Sequence, residues 1–148
     1  MTNKIIPSQD ITVDTVKEVF QNAYHTMRPY NSDPAASHLF TVEFWDIDVS
    51  VSVDITSKTI KMFAFFYPQE SSKEALIPHA NYLNNSYQLA RFMVEEEPCD
   101  DEGNYYIFAD YILNAKTGLD PFILIDTMRI FHDMVALAGR ENVAETEE

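Results

Sequence analysis

Residues 81–113 constrain the fold of this chain more than any other stretch. They read NYLNNSYQLARFMVEEEPCDDEGNYYIFADYIL. Two apolar segments flank an acidic break that runs from Glu95 to Gly103. The pattern predicts two antiparallel strands, Leu89 to Glu96 and Tyr105 to Ile112, joined by a turn around Pro98 to Gly103. The carboxylates crowd the turn, where water can solvate them. Neither this stretch nor the rest of the chain holds a recognisable catalytic arrangement.

Other elements can be placed around this pair. Val13, Val16, Phe20, Ala23, Tyr24 and Met27 recur every three or four residues behind the N-cap Thr12, which predicts a helix from Val13 to Met27. Pro29 and Asn31-Ser32-Asp33-Pro34 end it in a loop. Leu39 to Trp45 then leads into Asp46 to Asp54. There Ile47, Val49, Val51 and Val53 alternate with Asp48, Ser50 and Ser52, as in a half-buried antiparallel strand. Val42 and Phe44 do not share that parity, so a turn or bulge belongs near Trp45-Asp46. Ile60 to Tyr67 is apolar on both faces and ends at Pro68, which predicts a central strand or one that meets a partner.

Leu76, Ala80, Leu83 and Tyr87 share one face of a helix over 74–88, with Pro78 expected in its first turn. The last helix is predicted over 120–138. Asp120 is its N-cap, Pro121 its first residue and Gly139 its stop. Its apolar arc is wider than a surface helix needs. Either the helix is unusually buried or it faces a second subunit. The glutamate-rich tail, residues 141–148, is expected to fray beyond a single domain of residues 1–140.

The chain has 148 residues, enough for one domain with a full core. It carries 24 Asp and Glu against 10 Lys and Arg, a net charge of -14. Nucleic-acid binding relies on clustered cations, so this balance argues against a nucleic-acid partner. It also argues against anionic membrane surfaces and favours cationic partners. No apolar run approaches the roughly 20 residues of a membrane helix. The single cysteine, Cys99, allows no internal disulfide. These features fit a cytoplasmic protein.

The candidate sites are weak ones. The acids of Glu95 to Glu102 are consecutive and broken by Pro98, unlike a calcium loop with its alternating ligands and central glycine. Cys99 lies among carboxylates, which disfavour a reactive thiolate. His25, His38, His79 and His132 show no zinc spacing. His25 and His132 are expected as hydrogen-bonded structural histidines. Asp46 and Asp48 should share the polar face of a strand as ordinary charges. No nucleophile elbow, phosphate loop or dinucleotide fingerprint occurs. We therefore expect no catalytic residues, no cofactor and no metal. The aromatics belong mainly to the core, but Trp45 and Tyr67 are candidate interface anchors. Ile130, Phe131 and Met134 on the last helix are the candidate subunit contact.

The order is helix, three strands, helix, two strands, helix. Five quoted features carry a resemblance: the Asn81-x-x-Asn84 helix end, the short strand Leu89-Ala90-Arg91-Phe92-Met93, the acidic turn closing at Gly103, the strand Tyr105 to Leu113, and Gly118-Leu119 before a long final helix. In these the chain resembles the YbjN-like bacterial family, which shares the fold of type III secretion chaperones. The resemblance implies an α+β domain with an antiparallel sheet of about five strands packed with three helices. It also implies a homodimer and a chaperone-like or regulatory role, and the residues themselves suggest that an apolar surface in an acidic surround binds another protein. The alternative is a small-molecule sensor that holds an apolar ligand between helix and sheet.

Overall fold

In a computed structural model the chain is described over residues 4–67 and 72–141. Among these residues it forms three α-helices and one six-stranded antiparallel sheet. The strands are β1 (Met27–Pro29), β2 (Leu39–Val42), β3 (Val49–Asp54), β4 (Thr59–Phe66), β5 (Arg91–Val94) and β6 (Ile107–Asn114). The helices are α1 (Val13–Asn22), α2 (Lys73–Ser86) and α3 (Pro121–Arg140). The spatial order of strands is β1-β2-β3-β4-β6-β5. The α+β class is as the sequence indicates, with one more strand. The central place of β4 fits its two apolar faces. Pro68 and residues 142–148 lie outside the described residues.

Two compact units make up the chain. The first comprises residues 1–62 and 112–132. Its α1 buries Val16, Val19 and Phe20, and the Phe20 ring meets Phe40 of β2 edge-on at 6.0 Å. In β3 the alternation holds as predicted: Val49, Val51 and Val53 are buried while Ser50 and Ser52 are half-buried. Leu124, Met128 and Phe131 on α3 are fully buried.

The sixth strand comes from a helix that stops early. α1 ends at Asn22, and Met27 belongs to β1. Tyr24 takes φ 65°. The His25 N–H donates to Phe20 O at 3.0 Å and the Tyr24 N–H to Gln21 O at 3.0 Å. This is the Schellman termination, with tyrosine where glycine usually stands. No glycine marks the stop, so the apolar spacing runs on in the sequence past the true end. Met27, Arg28 and Pro29 then pair with Val42, Thr41 and Phe40.

The second unit comprises residues 63–111 and 133–148. Its α2 buries Leu76, His79, Ala80 and Leu83. The helix starts at Lys73, so Pro78 sits in the second turn rather than the first, and the Glu74 carbonyl loses its helical donor. β5 and β6 pair with Arg91 opposite Asp110 and Val94 opposite Ile107. The hairpin is as expected, with strands shorter or shifted by two residues. Its turn is built by Asp100, which accepts from the Glu102 and Asn104 N–H groups at 3.0 Å each and from the Tyr106 hydroxyl at 3.2 Å. Those bonds, the Asn104 amide first, hold its carboxyl below the ordinary range. Gly103 closes the turn at φ +83°.

α3 keeps its predicted start: the Phe122 N–H donates to the Asp120 carboxylate at 2.9 Å. Gly139 does not stop it. The helix continues to Arg140, and Gly139 packs against the Phe66 ring, which a Cβ would approach to 3.6 Å.

Candidate protein-binding surface

The two edge strands differ in what faces their outward backbone groups. At β1, the Glu43 N–H donates to Thr26 O at 2.8 Å, just beyond the strand. Antiparallel pairs alternate between bonded and non-bonded. Given the register of Met27 with Val42, the N–H and C=O of Met27 therefore point away from β2, and so does the C=O of Pro29. A cavity of about 210 Å³ lies beside this edge, lined by Lys17, Gln21, His25 and Arg28 among others.

At β5 the outward groups of Phe92 and two flanking ones have partners. Asn84, at the end of α2, accepts from the Phe92 N–H at 2.7 Å and donates to Phe92 O at 2.8 Å. The Ala90 N–H donates to the Met134 sulfur at 3.4 Å, and Lys73 donates to Glu96 O at 3.1 Å. The side-chain amide of Asn84 thus stands where the next strand would be.

Next to the β1 edge the chain displays two aromatics. The pairing of Thr26 with Glu43 leads on to His25 and Phe44, whose rings lie 5.6 Å apart, and then to Tyr24 and Trp45. Tyr24 is 97% exposed and Trp45 88%. The turn that carries Trp45 is pinned from several sides. His132 Nε2 lies 2.6 Å from Asp46 Oδ1, and its ring stacks on Phe44 at 3.9 Å. Asp48 accepts from the Phe44 N–H at 3.0 Å and from Arg28 at 2.9 Å. A tryptophan so exposed on a turn so held is pre-organised for contact.

Asp46 and Asp48 are therefore not solvated charges on a strand face, because β3 begins only at Val49. They are the braces of the turn. Burial would raise the Asp46 carboxyl, but the His132 hydrogen bond and the Ile47 N–H outweigh it and hold the carboxyl low. His132 is hydrogen-bonded as expected, whereas the buried Nε2 of His25 has no partner. Burial first, then the charges of Arg129 and His132, keep His25 neutral to lower pH than usual.

The other sequence candidates fall in different places. Tyr67 is half exposed and meets the Tyr106 ring at 5.2 Å. On α3 the wide apolar arc divides into a buried seam and a surface ridge. Phe131 is in the seam, with no exposure, so it cannot serve as a contact residue in the folded chain. Ile123, Ile130 and Leu137, seven residues apart, are each about half exposed, and Met134 is half-buried. Tyr24 and the β1 edge were not foreseen, since the predicted helix ran through Tyr24 to Met27 and a loop was expected from Pro29. Cys99 is free and exposed. Among the described residues no group of three or more His, Cys, Asp or Glu is placed to hold a metal ion. No described helix is long and apolar enough to cross a membrane.

No protein-family profile matches the chain, and no curated protein matches it by sequence. Solved structures do match. E. coli YbjN, a proposed transcription regulator, superposes with a TM-score of 0.69 at 12% identity, over 86% of this chain and 88% of its own. The fold is that of YbjN. The HopA1–SchA chaperone–effector complex matches with a TM-score of 0.57 at 10% identity, over 85% and 91% of the two chains. The ExsC–ExsE complex matches with a TM-score of 0.54 at 10% identity, over 73% and 78%. At these identities the likeness speaks for the fold, and the YbjN-type, chaperone-like architecture expected from the sequence is borne out.

Proposed function

We propose that this chain is a non-catalytic protein-binding module, chaperone-like or regulatory, that receives an extended partner segment along β1. The observation that carries this reading is the open β1 edge beside two nearly fully exposed aromatics on a pinned turn. An added strand would take the outward N–H and C=O of Met27, and Trp45 and Tyr24 would anchor its side chains. Support also comes from the solved neighbours, two of which are named as complexes, one of them of a chaperone with its effector. The net charge of -14 would steer basic partners toward the surface.

Two further elements belong to the same reading. The chain forms a homodimer through Ile123 and Ile130 of α3, with Met134 at the margin. Tyr67 is a secondary contact. The protein works in the cytoplasm, where Cys99 stays reduced. Light scattering coupled to size exclusion tests the dimer: twice the chain's 17.0 kDa is expected, and Ile130→Asp should return the mass to one chain. A wild-type mass of 17.0 kDa would remove the homodimer and leave the strand-addition reading to be tested on its own.

A further inference from the structure

Away from the β1 edge, the first unit contains an open groove of about 730 Å³ that the protein-binding reading does not use. Its size falls within the roughly 300–1,000 Å³ of small-molecule sites. It lies between the N-terminal segment, α1 and the first half of α3, so it is not the space between helix and sheet expected for an apolar ligand. The walls are fixed. Ile6 and Leu119 exchange both backbone hydrogen bonds at 2.8 Å. Gly118, at φ +112°, lets the N-terminal segment approach, since a Cβ there would stand 2.9 Å from the Ile5 side chain. The Asp10 N–H donates to Pro7 O at 2.9 Å, and Thr12 and Thr15 cap α1 reciprocally. The groove is therefore formed before any ligand arrives.

Its chemistry has a direction. Ile6, Val19, Ala23 and Ile125 supply an apolar bed. Phe122, 65% exposed, also lines it and offers an aromatic ring. Three carboxylates, Asp10, Glu18 and Asp126, line the groove, and among the described residues none of them forms a salt bridge. Lys4 and Arg129 are the opposing cations. Arg129 acts on His25, which places its charge toward the C-terminal end of α1. Asp10 belongs to the opposite end, ahead of that helix. Carboxylates and an aromatic ring around an apolar bed are the complement of a cation on an apolar frame.

We propose that this groove binds a small organic cation with an apolar body, seated on Val19 and Ile125 with its charge toward Asp10 and Glu18 and its frame against Phe122. The pairing follows from charge complementarity, reinforced by the field of a chain with net charge -14.

Ethidium serves as the probe and anilinonaphthalene sulfonate, an anionic dye, as its counterpart. Both are titrated into the full chain and followed by fluorescence and calorimetry. One saturable ethidium site in the micromolar range is expected. Phe122→Ala and the double variant Asp10→Asn, Glu18→Gln should each weaken it at least about fivefold. Ile55→Ala, exposed in the same unit but outside the groove, should leave it unchanged. Circular dichroism confirms the fold of each variant, which is expected to persist because Phe122 faces solvent. The proposal is overturned if ethidium does not saturate, if the groove variants bind it as well as the wild type, or if the anionic dye binds more tightly to the same site.

Discussion

Two edge strands end the sheet, and the contrast between them is instructive. β5 has the outward backbone groups of Phe92 answered by side chains: Asn84 takes both, and Met134 and Lys73 take flanking ones at Ala90 and Glu96. β1 has only three residues, yet Met27 presents an N–H and a C=O with no neighbouring strand. Exposed edges invite pairing with another chain, and folded proteins usually cover or blunt them. Here one edge is blocked at Phe92 by Asn84 and the other is left open beside Trp45 and Tyr24. The ion pairs follow the same division. Arg91 grips Asp110 at 2.8 and 3.0 Å, and the Asp110 side chain is 4% exposed. Arg28 holds Glu43 and Asp48 with all three side chains between 36% and 47% exposed. The second unit spends its polar groups on closure, the first on positioning a surface.

The largest expected difference lies in these pairs. Arg91→Ala leaves the nearly buried Asp110 carboxylate without its partner and should cost about 2–3 kcal/mol, whereas Arg28→Ala should cost under about 1 kcal/mol. Urea denaturation of both variants measures this, and equal losses would break the contrast. Asn84→Ala should cost about 1–2 kcal/mol, for the two lost hydrogen bonds at Phe92. It should also raise self-association in sedimentation experiments, because it opens the β5 edge.

Tyr24 gives a change of opposite sign. A non-glycine residue at positive φ costs about 1 kcal/mol, a strain often retained where function needs it. Tyr24→Gly should therefore raise stability by up to about 1 kcal/mol while weakening partner capture. A gain in both would remove Tyr24 from the binding surface.

The smallest effect is a pH slope. His25 in the first unit and His79 in the second are both held neutral to lower pH than usual, mainly by burial. The unfolded chain protonates them near the ordinary value of 6.5, and the folded chain only below it. Their contribution to stability is complete above pH 6.5 and declines as pH falls from there through the folded pKa values. Melting temperatures at pH 7.5 and 5.5 should drop on acidification, and His25→Gln and His79→Gln should each flatten the drop. A rise on acidification would contradict the sign.

The sequence was most legible where local and tertiary signals agree. The period-two run of β3, the N-cap of α3 and the hairpin around the acidic turn are all readable, because each is set by nearby residues. It was least legible where the backbone departs from its residue types. Tyr24 ends a helix without glycine, so the start of β1 at Met27 was hidden inside a helical pattern and its end at Pro29 inside a predicted loop. Gly139 continues a helix because Phe66 packs over it, a contact no local pattern records. The candidate surface was half visible. Trp45 stood out as a lone tryptophan next to a parity break. Phe131 looked equivalent to Ile130, and only packing separates the buried seam from the ridge. Asp46 and His132 lie 86 positions apart, so the brace that fixes Trp45 could not be seen in the chain.

The most direct test compares partner capture by two double variants. In Tyr24→Ala, Trp45→Ala the two exposed aromatics beside β1 are removed. In Ile77→Ala, Tyr82→Ala two apolar side chains of the second unit, each about half exposed, are removed. Quantitative affinity capture from cells, read against the wild type by mass spectrometry, measures both. The account predicts that proteins retained by the wild type are lost with the first variant and kept with the second. Retention by the first variant, or loss only with the second, would contradict it.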